Sequence, residues 1–372
     1  MARLGALVLS TVLIGSALAG PSYAGGGGAP GHHGPPGAGH GDAVSWAERV
    51  VDADQSFRGL DAVDRRVAWV AGGSATEGAP GRVFRTVDGG RSWDDVSPPG
   101  TEGLLLRDVE ARNAKEAVVL AIGAGDASRI YRTTDGGRSW AAAFVNDDPA
   151  AFYDCMAFYP GGRRGLALSD PVDGRFRILA TRDSGRSWTV LPDDGMPQAP
   201  TEFGFAASGD CLVTAGRTAY FGSGGGASRV FRSDDFGRTW TAADSTIPAG
   251  ESAGVFALTF RTPHEGVAVG GDFAAPADGV DAVAVSRHGR AWRNTGDLRH
   301  LGEDAAFLPG RGQRLIVTGE SGEVRGTSIS HDGGRSWTQV SESGYHAVDC
   351  THDGSCWAAG GGGRVARLVS GR

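Results

Sequence analysis

Arginines, carboxylates and aromatic side chains recur at one point in successive stretches of this 372-residue chain. They are Phe57 and Arg58; Arg107 and Asp108; Phe152, Tyr153 and Asp154; Glu202 and Phe203; Glu251 and Ser252; Arg299 and His300; and Tyr345 and His346. A second set lies between them, with Asp170 and Asp173, Tyr220 and Phe221, Asp272 and Phe273, and Glu320. Gathered around one opening, these side chains would make a polar pocket with flat stacking surfaces. Two of its carboxylates, Asp154 and Glu251 foremost, could serve as the acid and base of glycoside hydrolysis. Tyr153 or Tyr345 could act as a nucleophile if a neighbouring base activated it, with Arg58, Arg107 and Arg299 on a substrate carboxylate. A binding surface asks for less. The three arginines would meet a partner's carboxylates, and Phe152, Tyr153 and Tyr345 would give apolar contact. The plainest reading is that Arg58, Arg107, Asp154 and Asp173 pair with one another around a narrow channel. Asp170 and Asp173 are spaced as in a turn closed by an Asx bond, which we favour over a metal site.

Other chemistries lack their residues. The glycine-rich stretches 222–226 and 360–363 fall in strand-to-strand turns with no helix N-terminus to hold a pyrophosphate. No haem-attachment pattern and no nucleophile elbow occur. His32, His33 and His40 have no carboxylate or thiol at a ligand spacing, so neither a metal nor a cofactor is expected. A net charge of −7 disfavours nucleic acid and anionic membranes as partners.

The elements that must position the rim are announced by a repeated phrase. Thr86, Asp88, Gly90, Ser92 and Trp93 form its first copy, and later copies end at Trp140, Trp188, Trp240, Trp292 and Trp337, in steps of 47, 48, 52, 52 and 45 residues. That period belongs to propeller blades or solenoid turns. The Asp of the phrase (88, 135, 183, 235 and 332) accepts backbone N–H groups of a hairpin turn, and the Ser or Thr two residues earlier adds a hydroxyl contact. The glycine two residues on tolerates positive φ, and the Trp buries a large ring between neighbouring sheets. The fifth copy, Ser286 to Trp292, lacks the Asp and is one residue shorter, which predicts the least rigid turn of the six.

Seven second strands are read at 67–71, 117–122, 165–168, 211–214, 266–269, 315–317 and 356–359. Seven third strands are read at 82–85, 129–132, 176–179, 229–232, 282–285, 326–329 and 364–367. The last blade then lacks its outer strand, and residues 43–50, whose Ser45 and Trp46 match the end of the phrase, supply it. The expectation is an all-β, seven-bladed β-propeller of four-stranded blades over 42–372, closed by an N-terminal strand.

Ahead of it, Arg3 and the apolar run 4–18 predict a signal peptide over 1–24, cut after Ala19 or Ala24. Residues 25–41, nearly all Gly, Pro, His and Ala, predict a flexible leader. With no second long apolar stretch, we expect a monomeric protein without a stable membrane anchor, secreted or periplasmic. Four cysteines then suggest disulfides. Cys350 and Cys356 flank a turn-like pentapeptide and are the first pair expected; Cys155 and Cys211 remain.

The phrase resembles the Asp-box, or BNR repeat, and the likeness covers roughly 42–372. Seven blades with a box in most of them is most similar to the photosystem II stability/assembly factor group, some of whose bacterial relatives are labelled oxidoreductases. The resemblance implies that Asp88, Trp93, Asp135, Trp140, Asp183, Trp188, Asp235, Trp240, Asp332 and Trp337 are structural. It also implies that the working face is the opposite one. A protein or peptide partner is the implied ligand, with a carbohydrate-active enzyme acting on glycans as the alternative. The sialidase pattern fits poorly, since Phe176, Arg177 and Ile178 follow the second box and Leu179 replaces the usual Pro.

Overall fold

A computed structural model describes residues 44–310 and 312–370. The expected signal peptide (1–24) and leader (25–41) lie outside the described residues. Seven antiparallel sheets form seven blades. Blade 1 runs from its innermost strand outward as Gln55–Ala62, Ala68–Ser74, Val83–Thr86 and Asp94–Asp95. Blades 2, 3, 5 and 6 repeat the order from innermost strands Leu105–Ala111, Tyr153–Phe158, Ala253–Phe260 and Asp304–Phe307. Blade 7 contains Ala347–Cys350, Cys356–Gly360 and Arg364–Ser370, and its outer strand is Val44–Val50, paired in register from Val44 with Ser370 to Val50 with Arg364. The ring therefore closes as the sequence predicts.

Second strands are apolar along their length because both faces are covered by neighbouring blades. Ala117–Ile122 is buried at every residue, and Trp69, Ala71 and Val83 of blade 1 share one cluster with Leu106, Val119 and Tyr131 of blade 2. Burial at roughly 25 cal/mol per Å² of apolar surface is what makes those interfaces cohere. Trp93 meets Trp357 of blade 7 edge-on at 6.0 Å, and Trp140 meets Trp69 at 6.4 Å, so these closing tryptophans bridge blades as expected.

Carboxylates stitch the innermost strands together. Asp61 accepts the Ala111 N–H at 2.5 Å, Asp108 that of Met156 at 2.6 Å, Asp304 that of Val348 at 2.8 Å and Asp349 that of Ala62 at 2.8 Å. Each bond joins one blade to the next. Burial, reinforced by the like charges around them, pushes the carboxyls of Asp61, Asp108 and Asp304 well above the usual range.

Blade 4 departs from the sequence reading. The stretch at 211–214 is the innermost strand, Leu212–Ala215, and the second strand is Thr218–Gly222, followed by Arg229–Ser233 and Thr241–Asp244. Tyr220 and Phe221 are thus buried core residues of a strand, not loop residues at a mouth. Glu202–Phe203, expected to lead into the innermost strand, instead forms a short ribbon with Gly224–Gly225 that joins the sheet of blade 5. The reason is a long connection after blade 3, which detours across the channel before blade 4 begins.

Among the described residues no helix is long and apolar enough to cross a membrane. Cys155 is bonded to Cys211 and Cys350 to Cys356.

Candidate functional site

The turns lie at one end of the blades. In the first, Asp88 Oδ1 accepts the N–H groups of Arg91 and Ser92 at 2.9 and 3.0 Å, and Oδ2 accepts the Ser92 hydroxyl at 2.7 Å. Thr86 donates its hydroxyl to Asp88 at 2.9 Å and accepts the Gly90 N–H at 2.9 Å. Gly90 holds φ at 80° with the Trp357 ring 3.0 Å from where a Cβ would stand, so a side chain is excluded there twice over. The Gly89 N–H reaches the Arg66 carbonyl at 3.0 Å, which ties the turn to the loop between the first two strands. The same carboxylate-to-hydroxyl bond recurs at Asp135, Asp183, Asp235 and Asp332. Hydrogen bonds from Ser92 and Ser139 hold Asp88 and Asp135 down at about 2.

The opposite end is where the sequence placed its pocket, and the structure fills it with the chain's own residues 204–211. Innermost strands of blades 1, 2, 3 and 5 carry a register irregularity at Arg58, Arg107, Asp154 and Phe256 respectively. Such bulges re-aim a side chain. All four reach the same segment. Arg58 donates to the Ala207 carbonyl at 2.8 Å and Arg107 to the Ala206 carbonyl at 3.0 Å. Phe256 stacks edge-on against Phe205 at 4.6 Å, and Asp154 lies against Gly204, its Oδ2 2.9 Å from where a Cβ would stand. Asp170 accepts the Gly204 N–H at 2.7 Å rather than closing the local Asx turn expected of it.

Most of the other buried charges at this end are also paired. Arg58 pairs with Glu303 at 2.8 Å, and Glu303 also meets His346 Nδ1 at 2.9 Å and the Glu320 N–H at 2.7 Å. Burial alone would raise Glu303, but His346 and Arg58 together hold it below its ordinary value. Burial and the nearby Arg58 lower His346, so its ring is neutral and its Nδ1–H donates. Burial and Arg58 likewise pull the Arg107 guanidinium below its usual range. Glu320 is taken by Arg364 at 2.6 Å, and Tyr345, fully buried, donates to Glu48 of the closing strand at 2.9 Å. Glu202 is bonded to Arg229 and to the Ser223 hydroxyl, and Asp272 to Ser252.

The candidate catalytic groups are not assembled. Tyr153 and Tyr345 sit buried in separate clusters, and burial pushes the Tyr153 phenol up to about 12. Asp154 is buried and raised well above a carboxylate's usual value, first by burial and then by Asp170. Phe152 is half-buried, Asp173 sits in a turn at φ 54°, and Glu251 and Arg299 stand exposed on the rim. Among the described residues no cluster of His, Cys, Asp or Glu suits a metal ion.

A cavity that the sequence reading missed opens at the turn end, with a volume of about 1140 Å³, between blades 4, 5 and 6. Arg232, Arg261, Arg287, Arg290, Arg293 and Arg335 line it with His264 and His288, against one carboxylate, Glu265. Glu265 pairs with Arg261 at 3.9 Å and Arg232 with Asp234 at 2.5 Å. Arg287, Arg290 and Arg293 are exposed and have no carboxylate partner among the described residues. All three belong to, or directly follow, the defective fifth turn. That defect was the available signal, but the neighbouring blades' contribution depends on the three-dimensional ring.

No family model and no curated protein matches the chain. Solved structures do. YCF48 bound to D1 peptide superposes with a TM-score of 0.62 at 15% identity, covering 88% of this chain and 97% of that one. The likeness is one of fold. YCF48 from Cyanidioschyzon merolae gives 0.55 at 14% identity, covering 87% and 98% of the two chains. The WD40 β-propeller domain of Doa1 gives 0.55 at 12% identity, covering 86% and 94%. A YCF48-like propeller and a WD40 propeller thus share this architecture at identities where sequence carries little of the resemblance.

Proposed function

We propose that this chain is a non-catalytic, extracytoplasmic binding propeller that holds a protein or peptide partner, as an assembly factor does. Its turns are read as Asp-boxes. The observation that carries the reading is the contrast between the two ends. At the end opposite the turns, Arg58 and Arg107 already grip backbone carbonyls of residues 206 and 207. At the turn end, a cavity of about 1140 Å³ offers the guanidinium groups of Arg287, Arg290 and Arg293, which have no carboxylate partner among the described residues. This contrast supports a partner site in that cleft over the opposite face that the resemblance implied. A similar structure, YCF48, was solved with a D1 peptide, which supports a peptide as the kind of ligand such a ring accommodates. Two disulfides suit an oxidising compartment.

The glycosidase alternative is the weaker reading, since Tyr153 and Tyr345 are buried apart and Asp154 is buried while Glu251 is exposed. The test is affinity capture from the extracytoplasmic fraction with wild type and with Arg287→Ala, Arg290→Ala and Arg293→Ala combined, alongside a glycan panel. The reading expects a protein partner lost in the triple variant and no turnover. Hydrolysis of any glycoside, or a partner retained by the triple variant but lost on Arg299→Ala, overturns it.

A further inference from the structure

The fifth turn is one residue shorter than the others and also differs by two linked side-chain losses. His288 stands where the other five copies have their aspartate, and Ala291 stands where they have the Ser or Thr whose hydroxyl that aspartate accepts. What survives is the backbone framework. The Ser286 hydroxyl still accepts the Gly289 N–H at 2.8 Å, as Thr86 does for Gly90, and Gly289 keeps a positive φ of 63°. In the copies at Asp88, Asp235 and Asp332 the two N–H groups that follow the glycine donate to the carboxylate, and at Asp135 and Asp183 the N–H of Ser139 or Ser187 does. Their counterparts here, on Arg290 and Ala291, have no carboxylate to receive them.

This vacated acceptor faces the basic cleft. Arg287 and Arg290 flank it within the turn, Arg293 follows it, and the His264 and His288 rings lie 6.4 Å apart at its edge. The chain as a whole is acidic at −7, so a cleft with a single paired carboxylate is not a general property of its surface. A guanidinium presents a planar fork that matches the two oxygens of a carboxylate. The intact turns show the same preference in miniature, since each seats one planar carboxylate with one oxygen on N–H groups and the other on a hydroxyl.

We propose that the fifth turn takes an external carboxylate in place of its missing aspartate, and that the cleft is thereby a docking site for an acidic segment of a partner protein. One oxygen receives the turn's N–H groups, and the other is bridged by Arg287 or Arg290. Arg293 and the neighbouring arginines of blades 4 and 6 meet the next acidic residues. The proposal rests on the reading of this chain as a peptide-binding propeller, and specifies what that site recognises.

The experiment titrates purified protein with a short capped peptide alternating Glu and Gly, with its Gln counterpart, and with inorganic phosphate, by calorimetry at low salt. Two variants accompany wild type. His288→Asp with Ala291→Ser returns the turn's own carboxylate and hydroxyl, and Arg287→Gln with Arg290→Gln removes charge without altering the turn's backbone. The Glu peptide is expected to bind wild type, to weaken about tenfold or more in both variants, and to outbind the Gln peptide and phosphate. The Gln variant should keep the wild-type melting transition and the restored turn should melt no lower than wild type, which shows that the ring is intact in both. Equal binding to the restored turn overturns the proposal, as does phosphate binding as tightly as the Glu peptide. If the Glu peptide fails to bind while capture still depends on Arg287, Arg290 and Arg293, the carboxylate inference falls and the partner-binding reading stands. Failure of both the peptide and the capture removes the reading itself.

Discussion

Arg58 of blade 1 and Glu303, at the entry to blade 6, meet at 2.8 Å across the channel, and the Ala207 carbonyl shares the same Arg58 nitrogen. The pair belongs to the plug that residues 204–211 make at this end of the channel, and not to a ligand site. The Glu303 side chain is 7% exposed, so Arg58→Ala would leave its Oε1 without a partner, while His346 and the Glu320 N–H hold only Oε2. We expect a loss on the order of 3 kcal/mol in denaturant unfolding, with capture of the partner unchanged. An unchanged midpoint would show that the pair is solvated.

The disulfide between Cys155 and Cys211 anchors the end of the plug to blade 3 across a separation of 56 residues. Replacing both by Ser is expected to cost about 2–4 kcal/mol. It should also raise amide hydrogen exchange over 204–211 ahead of the rest of the ring. Uniform exchange throughout would mean the segment is held without the bond.

Stability should pass through a maximum in mild acid. Asp170 and Asp210 are raised to about 7 by burial, so the folded ring binds more protons than the unfolded chain between their ordinary value of 3.8 and about 7. Stability therefore falls as pH rises through that window. Asp88, Asp135 and Asp332 are lowered to about 2, so the unfolded chain binds more protons between 3.8 and about 2, and stability is lost as pH falls there. Melting curves should peak near pH 4, and Asp210→Asn should flatten the alkaline limb. A melting temperature that climbs steadily from pH 4 to 7 would contradict the buried carboxyls.

An intact turn should matter to the ring but not to the partner. Asp235 accepts two N–H groups and two hydroxyls. Asp235→Ala should cost about 2 kcal/mol while leaving peptide binding intact. Lost binding at constant stability would move the site to the fourth turn.

Much of this was legible. The repeated phrase gave the period, the seven second and third strands gave the number of blades, and Ser45 and Trp46 betrayed the closing strand. Blade 4 escaped because Glu202 and Phe203, a carboxylate beside an aromatic just ahead of residues 204–211, imitate a lead-in. Its first two strands are also separated only by Gly216 and Arg217, too short a break to see as a turn. Arg58, Arg107 and Asp154 share a place in their repeats because all three sit at equivalent bulges. Residue types cannot reveal whether such groups await a foreign ligand or hold the chain's own backbone. The fifth copy's missing aspartate was visible, but the convergence of Arg232, Arg261 and Arg335 upon it arises from neighbouring blades.

The most direct measurement is the hydrogen-exchange footprint of the partner recovered by capture. The account predicts protection concentrated at 286–293 and 261–265, with exchange at 204–211 and around Arg299 unchanged. Protection centred on the plug and its rim, with the fifth turn unaffected, would contradict it.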